Sequence, residues 1–211
     1  MAKNDADTWK LIHIERGAVA DTLAGLNSDQ WAAASLCGGW SVHIAAAHVV
    51  AGAEQTPGQF FGHLASNAFR FNVMIDRDAR ALAARPSTEI IERLRATTST
   101  TNHPPAPVIT MLGEVVVHSE DIRRPLGIID KPAPEAVVAC LDMFWSAGFP
   151  VGGKRRVAGL QFRATDLDWT HGAGAEVTGP GMSLLMAMTG RRAGLEDLAG
   201  PGLATLSARL T

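Results

Sequence analysis

The apolar pattern of this chain changes its period once, and that switch constrains the fold more than any other feature. Up to about residue 150 the apolar side chains recur at helical spacing. Residues 8–26 set Trp9, Leu11, Ile12, Val19, Leu23 and Leu26 in this way before NSDQ breaks the run. LCGGW is a turn and Ser41 a good N-cap. VHIAAAHVVAGAEQ follows as an alanine-rich helix whose small side chains suit close packing against neighbouring helices. A further helical run spans 66–84 and ends at Pro86, and Ser87 caps a short helix over 88–98. TTSTTNHPPAP is a loop. A helix restarts near Val108, runs to about Arg124 and stops at PLG, and Pro134 opens another over EAVVACLDMFWSAG.

Beyond residue 150 the pattern is different. PVGGKRRVAG reads as a linker or turn, and VAGLQFRATD alternates as a half-buried strand does. LDWTHGAGAEVTG reads as strand, glycine-rich turn, strand. Pro180 and Gly181 open a helix, GMSLLMAMTG, that Gly190 closes, and LATLSARL is a last strand or a short helix. The expected fold is therefore α+β: a helical domain over 1–150 and a small α+β domain over 151–211, with no internal repeats.

Composition removes several functional classes. With 46% apolar residues in 211, a packed core is expected rather than disorder. Nineteen Lys and Arg against 21 Asp and Glu leave no basic stripe for nucleic acid. The chain has no tyrosine, so no phenolic acid can serve in proton transfer. The start, MAKNDADTWK, is too polar for a signal peptide, and no apolar run approaches the roughly 20 residues that span a bilayer. Cys37 and Cys140 are too few for a disulfide framework. A soluble cytoplasmic protein with reduced thiols is expected.

The histidines narrow the chemistry. His103 lies in a proline-rich loop and His171 beside a glycine-rich turn, so neither reads as a rigid ligand. His43 and His48 share a helix but stand about 140° apart around it, so only one faces any given site. The face of His48 carries Ile44, Ala45, Ala51 and Gly52, and an imidazole on such a face needs a partner. In GEVVVHSED, Glu114 and His118 stand at i and i+4 on one face. Such a pair is either an ordinary surface pair or two ligands of a metal. With His48 from a separate helix, two histidines and one carboxylate would leave positions open for water or substrate.

The stretch LNSDQWAAASLCGGWSVHIAAAHV resembles the N-terminal signature of the maleylpyruvate isomerase family of thiol-dependent enzymes, which are DinB-like four-helix bundles. In that family a Ser-x-Cys-x-Gly-Trp loop, here Ser35 to Trp40, leads into a helix with a metal-binding histidine, here His48. GEVVVHSEDIRRPLG is similar to the second signature, with Glu114 and His118 in the ligand positions. The segment from Ala164 to Gly202 is similar to the small sterol-carrier-like C-terminal domain of many members. The resemblance implies a divalent metal, usually zinc, at His48, Glu114 and His118. It further implies mycothiol as co-substrate, a small-molecule substrate and an actinobacterial source.

Zinc held this way would favour the thiolate of an arriving thiol, suiting isomerisation or S-transfer on a small electrophile. A cation for an anionic substrate is sought among Arg123, Arg124, Arg191 and Arg192, with Arg123 otherwise a surface residue. Arg191 is ranked first because it follows Gly190 as in the family's Gly-Arg. Asp121 either orients a ligand or water or pairs with Arg124 on the helix surface. Cys37 is read as structural. Two other readings remain: a non-catalytic metal or small-ligand binding protein, and a thiol-independent metal hydrolase.

Overall fold

In the computed structural model, residues 5–148 and 151–210 are described. The chain divides into two compact units, Met1–Pro132 and Ala133–Thr211.

The first unit is helical: α1 (Asp5–Ala24), α2 (Ser28–Ala32), α3 (Val42–Glu54), α4 (Pro57–Ser66), α5 (Phe71–Leu82), α6 (Ser87–Ala96) and α7 (Ile109–Arg123). Helices α1 and α3 each pack against both α6 and α7, which closes a four-helix bundle, and α5 lies against α3. The alanine-rich reading of α3 fits its packing, since Ala45, Ala46 and Ala47 are fully buried. Small side chains let the α7 backbone approach closely, with Leu112, Val115 and Val116 facing the same core. Ser41 caps α3, its side chain accepting from the Ile44 amide.

Two local expectations change. The helical run expected from residue 66 is interrupted at 67–70, where Ala68 and Phe69 take left-handed φ values of 53° and 59°. Helix α4 precedes the break. Thr56 and Gln59 form its capping box and Pro57 begins it, a signal that periodicity alone passes over. Ser87 is the first residue of α6 rather than its cap, because Pro86 takes the N-cap position.

The second unit contains α8 (Pro134–Ser146), α9 (Gly153–Val157), β1 (Leu160–Ala164), β2 (Thr170–Gly172), β3 (Ala175–Gly179), α10 (Gly181–Met188) and α11 (Leu203–Ala208). Its sheet has the order β2-β1-β3, with β1 antiparallel to β2 and parallel to β3. The glycine-rich turn therefore carries the chain from one side of β1 to the other instead of closing a hairpin. The tail is a helix.

The domain boundary expected at residue 150 falls on Pro150, outside the described residues. The contacts divide the chain earlier, between Pro132 and Ala133. Helix α8 presents Ala136, Val137, Cys140, Leu141 and Phe144 and packs against α10, every residue of which is buried. That apolar contact draws α8 into the second unit, a pairing invisible in its helical period. The stretch expected to be a linker contains α9. The α+β class stands, with a helical unit followed by one built on a three-stranded sheet.

Because Ser41 satisfies an amide at the start of the helix that carries His48, Ser41→Ala is expected to cost about 1 kcal/mol. Urea denaturation followed by circular dichroism measures it.

Candidate metal centre

Helices α3 and α7 pack side by side, and each presents polar groups to the seam between them. His48 lies in the middle of α3, and Glu114 and His118 one turn apart on α7. His48 Nε2 is 3.1 Å from Glu114 Oε2, and His118 Nε2 is 3.5 Å from the same oxygen. The two imidazole rings meet edge to face with centroids 4.7 Å apart. One donor atom from each residue lies within 4.8 Å of the others. The His48 and His118 side chains are only 12% and 13% exposed, whereas Glu114 is 47% exposed, so the site is backed by protein and open on the carboxylate side.

A second layer fixes the imidazole of His118. Its Nδ1 lies 2.9 Å from Oδ2 of Asp121, which is fully buried. The Cys37 thiol donates to the same Asp121 oxygen at 3.1 Å and lies 3.5 Å from His118 Nδ1. The loop holding Cys37 is tied to α7 by the Leu36 amide, which donates to the Asp121 carbonyl at 3.0 Å. A carboxylate at Nδ1 keeps a proton there and aims Nε2 toward Glu114 and His48, where a metal would take its lone pair. Cys37, Asp121 and His118 also form a compact group of possible ligands. Their mutual distances of 2.9–3.5 Å are accounted for by hydrogen bonds.

The electrostatics are those of coupled partners. The surroundings of Glu114 oppose its charge, but the hydrogen bonds from His118 and His48, followed by their charges, hold its carboxyl well below the usual carboxylate range. Burial pulls His118 down, and the hydrogen bonds to Asp121, Cys37 and Glu114 outweigh it and raise His118 well above the ordinary histidine value.

The other histidines make their contacts elsewhere. His13 bonds the Thr100 carbonyl, His63 pairs with Asp78, and His103 bonds the Pro104 carbonyl. His43 packs on Trp31 and His171 on Trp169.

The arginine expectations fare differently. Arg123 is buried rather than on the surface, and its Nε and Nη2 donate to Thr22 Oγ1 at 3.1 and 2.9 Å. The helix period turns it inward toward α1, against which α7 packs. Arg124 pairs with Glu120 at 3.1 Å, while Asp121 is fully buried against His118. Arg124 lies six residues past His118, about 9 Å further along the helix axis. Arg191 and Arg192 belong to the second unit. There Arg191 donates to the Thr189 carbonyl, and Arg192 to those of Ser207 and Leu210.

Sequence reasoning placed Cys37 in the right loop but missed its contact with Asp121 and His118. It also missed Trp40, whose ring packs on His48 at 5.1 Å.

Residues 12–108 match the family model described as the mycothiol maleylpyruvate isomerase N-terminal domain. That stretch, a little under half of the chain, is thus similar to the N-terminal domain of the maleylpyruvate isomerase family. The match includes His48 and ends before Glu114 and His118. Among solved structures, a mycothiol-dependent maleylpyruvate isomerase carrying a histidine-to-alanine substitution is similar at a TM-score of 0.61. The alignment covers 94% of this chain and 93% of that one at 13% identity, a likeness of fold. No protein with a curated description matches the chain. Among the described residues no helix is long and apolar enough to cross a membrane.

In the metal-free protein, His118 is expected to titrate above its ordinary value of 6.5. Asp121→Asn removes the carboxylate that favours the imidazolium, so the midpoint should fall. Histidine ring-proton NMR across pH reads both.

Proposed function

We propose that the chain is a metal-dependent enzyme that uses a low-molecular-weight thiol, mycothiol, for isomerisation or S-transfer on a small electrophilic substrate. His48, Glu114 and His118 would hold the metal. The observation that carries this reading is the convergence of two imidazole Nε2 atoms and one carboxylate oxygen from two packed helices. The donor set fits zinc, which takes imidazole and carboxylate ligands and, with three from protein, keeps a fourth position open. The engagement of His118 Nδ1 by buried Asp121 supports the fit, since a ligating histidine commonly gives its other nitrogen to a carboxylate.

When bound, zinc would favour the thiolate form of a thiol brought to the open position. The chain's own residues prepare that position. Asp121 holds the His118 proton at Nδ1, leaving Nε2 a lone-pair donor. The half-exposed Glu114 carboxylate marks the side from which small molecules arrive. Trp40 and the α3–α7 seam keep solvent from the rear of His48.

The covalent chemistry is the thiol's. Its sulfur adds to one carbon of a double bond conjugated with a carbonyl, and the π electrons move onto the carbonyl oxygen. Rotation follows about the new single bond. The electrons then return, the C–S bond breaks, and the thiolate leaves the opposite geometric isomer. If the adduct takes up a proton first and departs, the same addition is S-transfer. Both free cysteines fit the reducing cytoplasm in which such a thiol would be kept.

The test pairs metal analysis with turnover. The purified protein should hold about one zinc per chain, and His118→Ala should lose it. Maleylpyruvate should isomerise only when mycothiol is present. Full zinc content in His118→Ala would show that the ligand set is wrong. Hydrolytic turnover without any thiol would point to a hydrolase, and tight ligand binding with no turnover to a binding protein.

A further inference from the structure

The residues proposed as metal ligands occupy α3 and α7, yet the Gly39–Trp40 end of the signature loop is anchored from α5, a helix without a ligand. Trp40 Nε1 donates to Asp76 Oδ1 at 2.8 Å. Arg80 Nε donates to both Asp76 oxygens at 2.9 and 3.0 Å, and its Nη2 donates to the Gly39 carbonyl at 3.1 Å. The loop end is thus gripped twice, by its indole and by its backbone, from one turn of α5. The indole so held packs against the His48 ring at 5.1 Å and 52°. The other ring contact of His48 is the edge-to-face one with His118.

We infer that Asp76 is a positioning residue for His48, acting through Trp40, with Arg80 holding the Asp76 carboxylate in place. The inference rests on His48 serving as a ligand, and it assigns a role to a region outside both sequence signatures. A histidine in the middle of a helix retains freedom about its terminal side-chain torsion, which is broad and shallow. Among the described residues, Glu114 is the one side chain hydrogen-bonded to His48. That bond holds one edge of the ring, and packing against Trp40 and His118 sets its plane. Trp40 lies on a loop, so its indole needs its own restraint, which Asp76 provides. The hydrogen bond from Trp40 is also the leading cause that holds the Asp76 carboxyl below its ordinary range. Side chains of Asp76 and Arg80 are about half exposed, so their pairing alone contributes little stability. Their effect is expected at the site rather than in the fold.

The experiment compares wild type, Asp76→Ala, Asp76→Asn, Trp40→Phe and the Asp76→Ala/Trp40→Phe double variant in two measurements. The first is NMR of the His48 ring protons in the metal-free protein, which sense the ring current of Trp40. The second is zinc affinity by chelator competition. Asp76→Ala should move the His48 resonances toward solvent-exposed values and weaken zinc binding about 10-fold, the low end for loss of an outer partner. Asp76→Asn retains an acceptor for the indole and should recover most of both. In the Trp40→Phe background, Asp76→Ala should add almost nothing, because the hydrogen bond is already gone. Unmoved His48 resonances in Asp76→Ala, or a full effect persisting in Trp40→Phe, would overturn the role of Asp76. If wild type binds no zinc, the metal reading fails, while the NMR arm still decides whether Asp76 positions His48.

Discussion

Two imidazoles meeting one carboxylate across the seam of α3 and α7 is the contact on which the functional part of this structure depends. Each histidine is almost enclosed by apolar helix faces, where a polar ring without a partner is costly. Their mutual approach, and that of Glu114, requires the two helices to lie close. The fully buried alanines of α3 and the valines of α7 permit that spacing. Packing and polar satisfaction thus impose the same geometry on the donor cluster.

Around that cluster the structure holds the two histidines by different means. His118 is fixed through Nδ1 by Asp121, which in turn accepts from Cys37 and sits on the turn of α7 tied to Leu36. His48 is fixed across its ring face by Trp40, anchored to Asp76 on α5. Both restraints run through the short loop from Ser35 to Trp40. That loop is itself folded by Ser35, whose hydroxyl and amide engage the Trp40 carbonyl. One loop therefore supports both imidazoles from behind, while the Glu114 side stays open.

Much of this was legible in the sequence, for identifiable reasons. The i, i+4 spacing of Glu114 and His118 fixes a shared helical face, and the 140° separation of His43 and His48 leaves only one of them for the site. Ser41 announced the start of α3, and the change from helical to alternating period announced the sheet. What stayed hidden depends on tertiary contact. The inward turn of Arg123 follows from α1 lying beside α7, and the place of α8 follows from its packing on α10. The break at 67–70 hangs on two non-glycine residues in left-handed conformation, which no local propensity signals. Asp76 reads in sequence as one more charge on an amphipathic helix. Only the fold brings it to Trp40.

On the proposed function, His48, Glu114 and His118 share one metal ion. The most direct test is anomalous X-ray scattering at the zinc edge from crystals of the zinc-loaded protein. One strong peak is expected, about 2.0–2.2 Å from His48 Nε2, His118 Nε2 and a Glu114 carboxylate oxygen. A peak at Cys37 and Asp121 instead, or none between the three residues at full zinc loading, would contradict it.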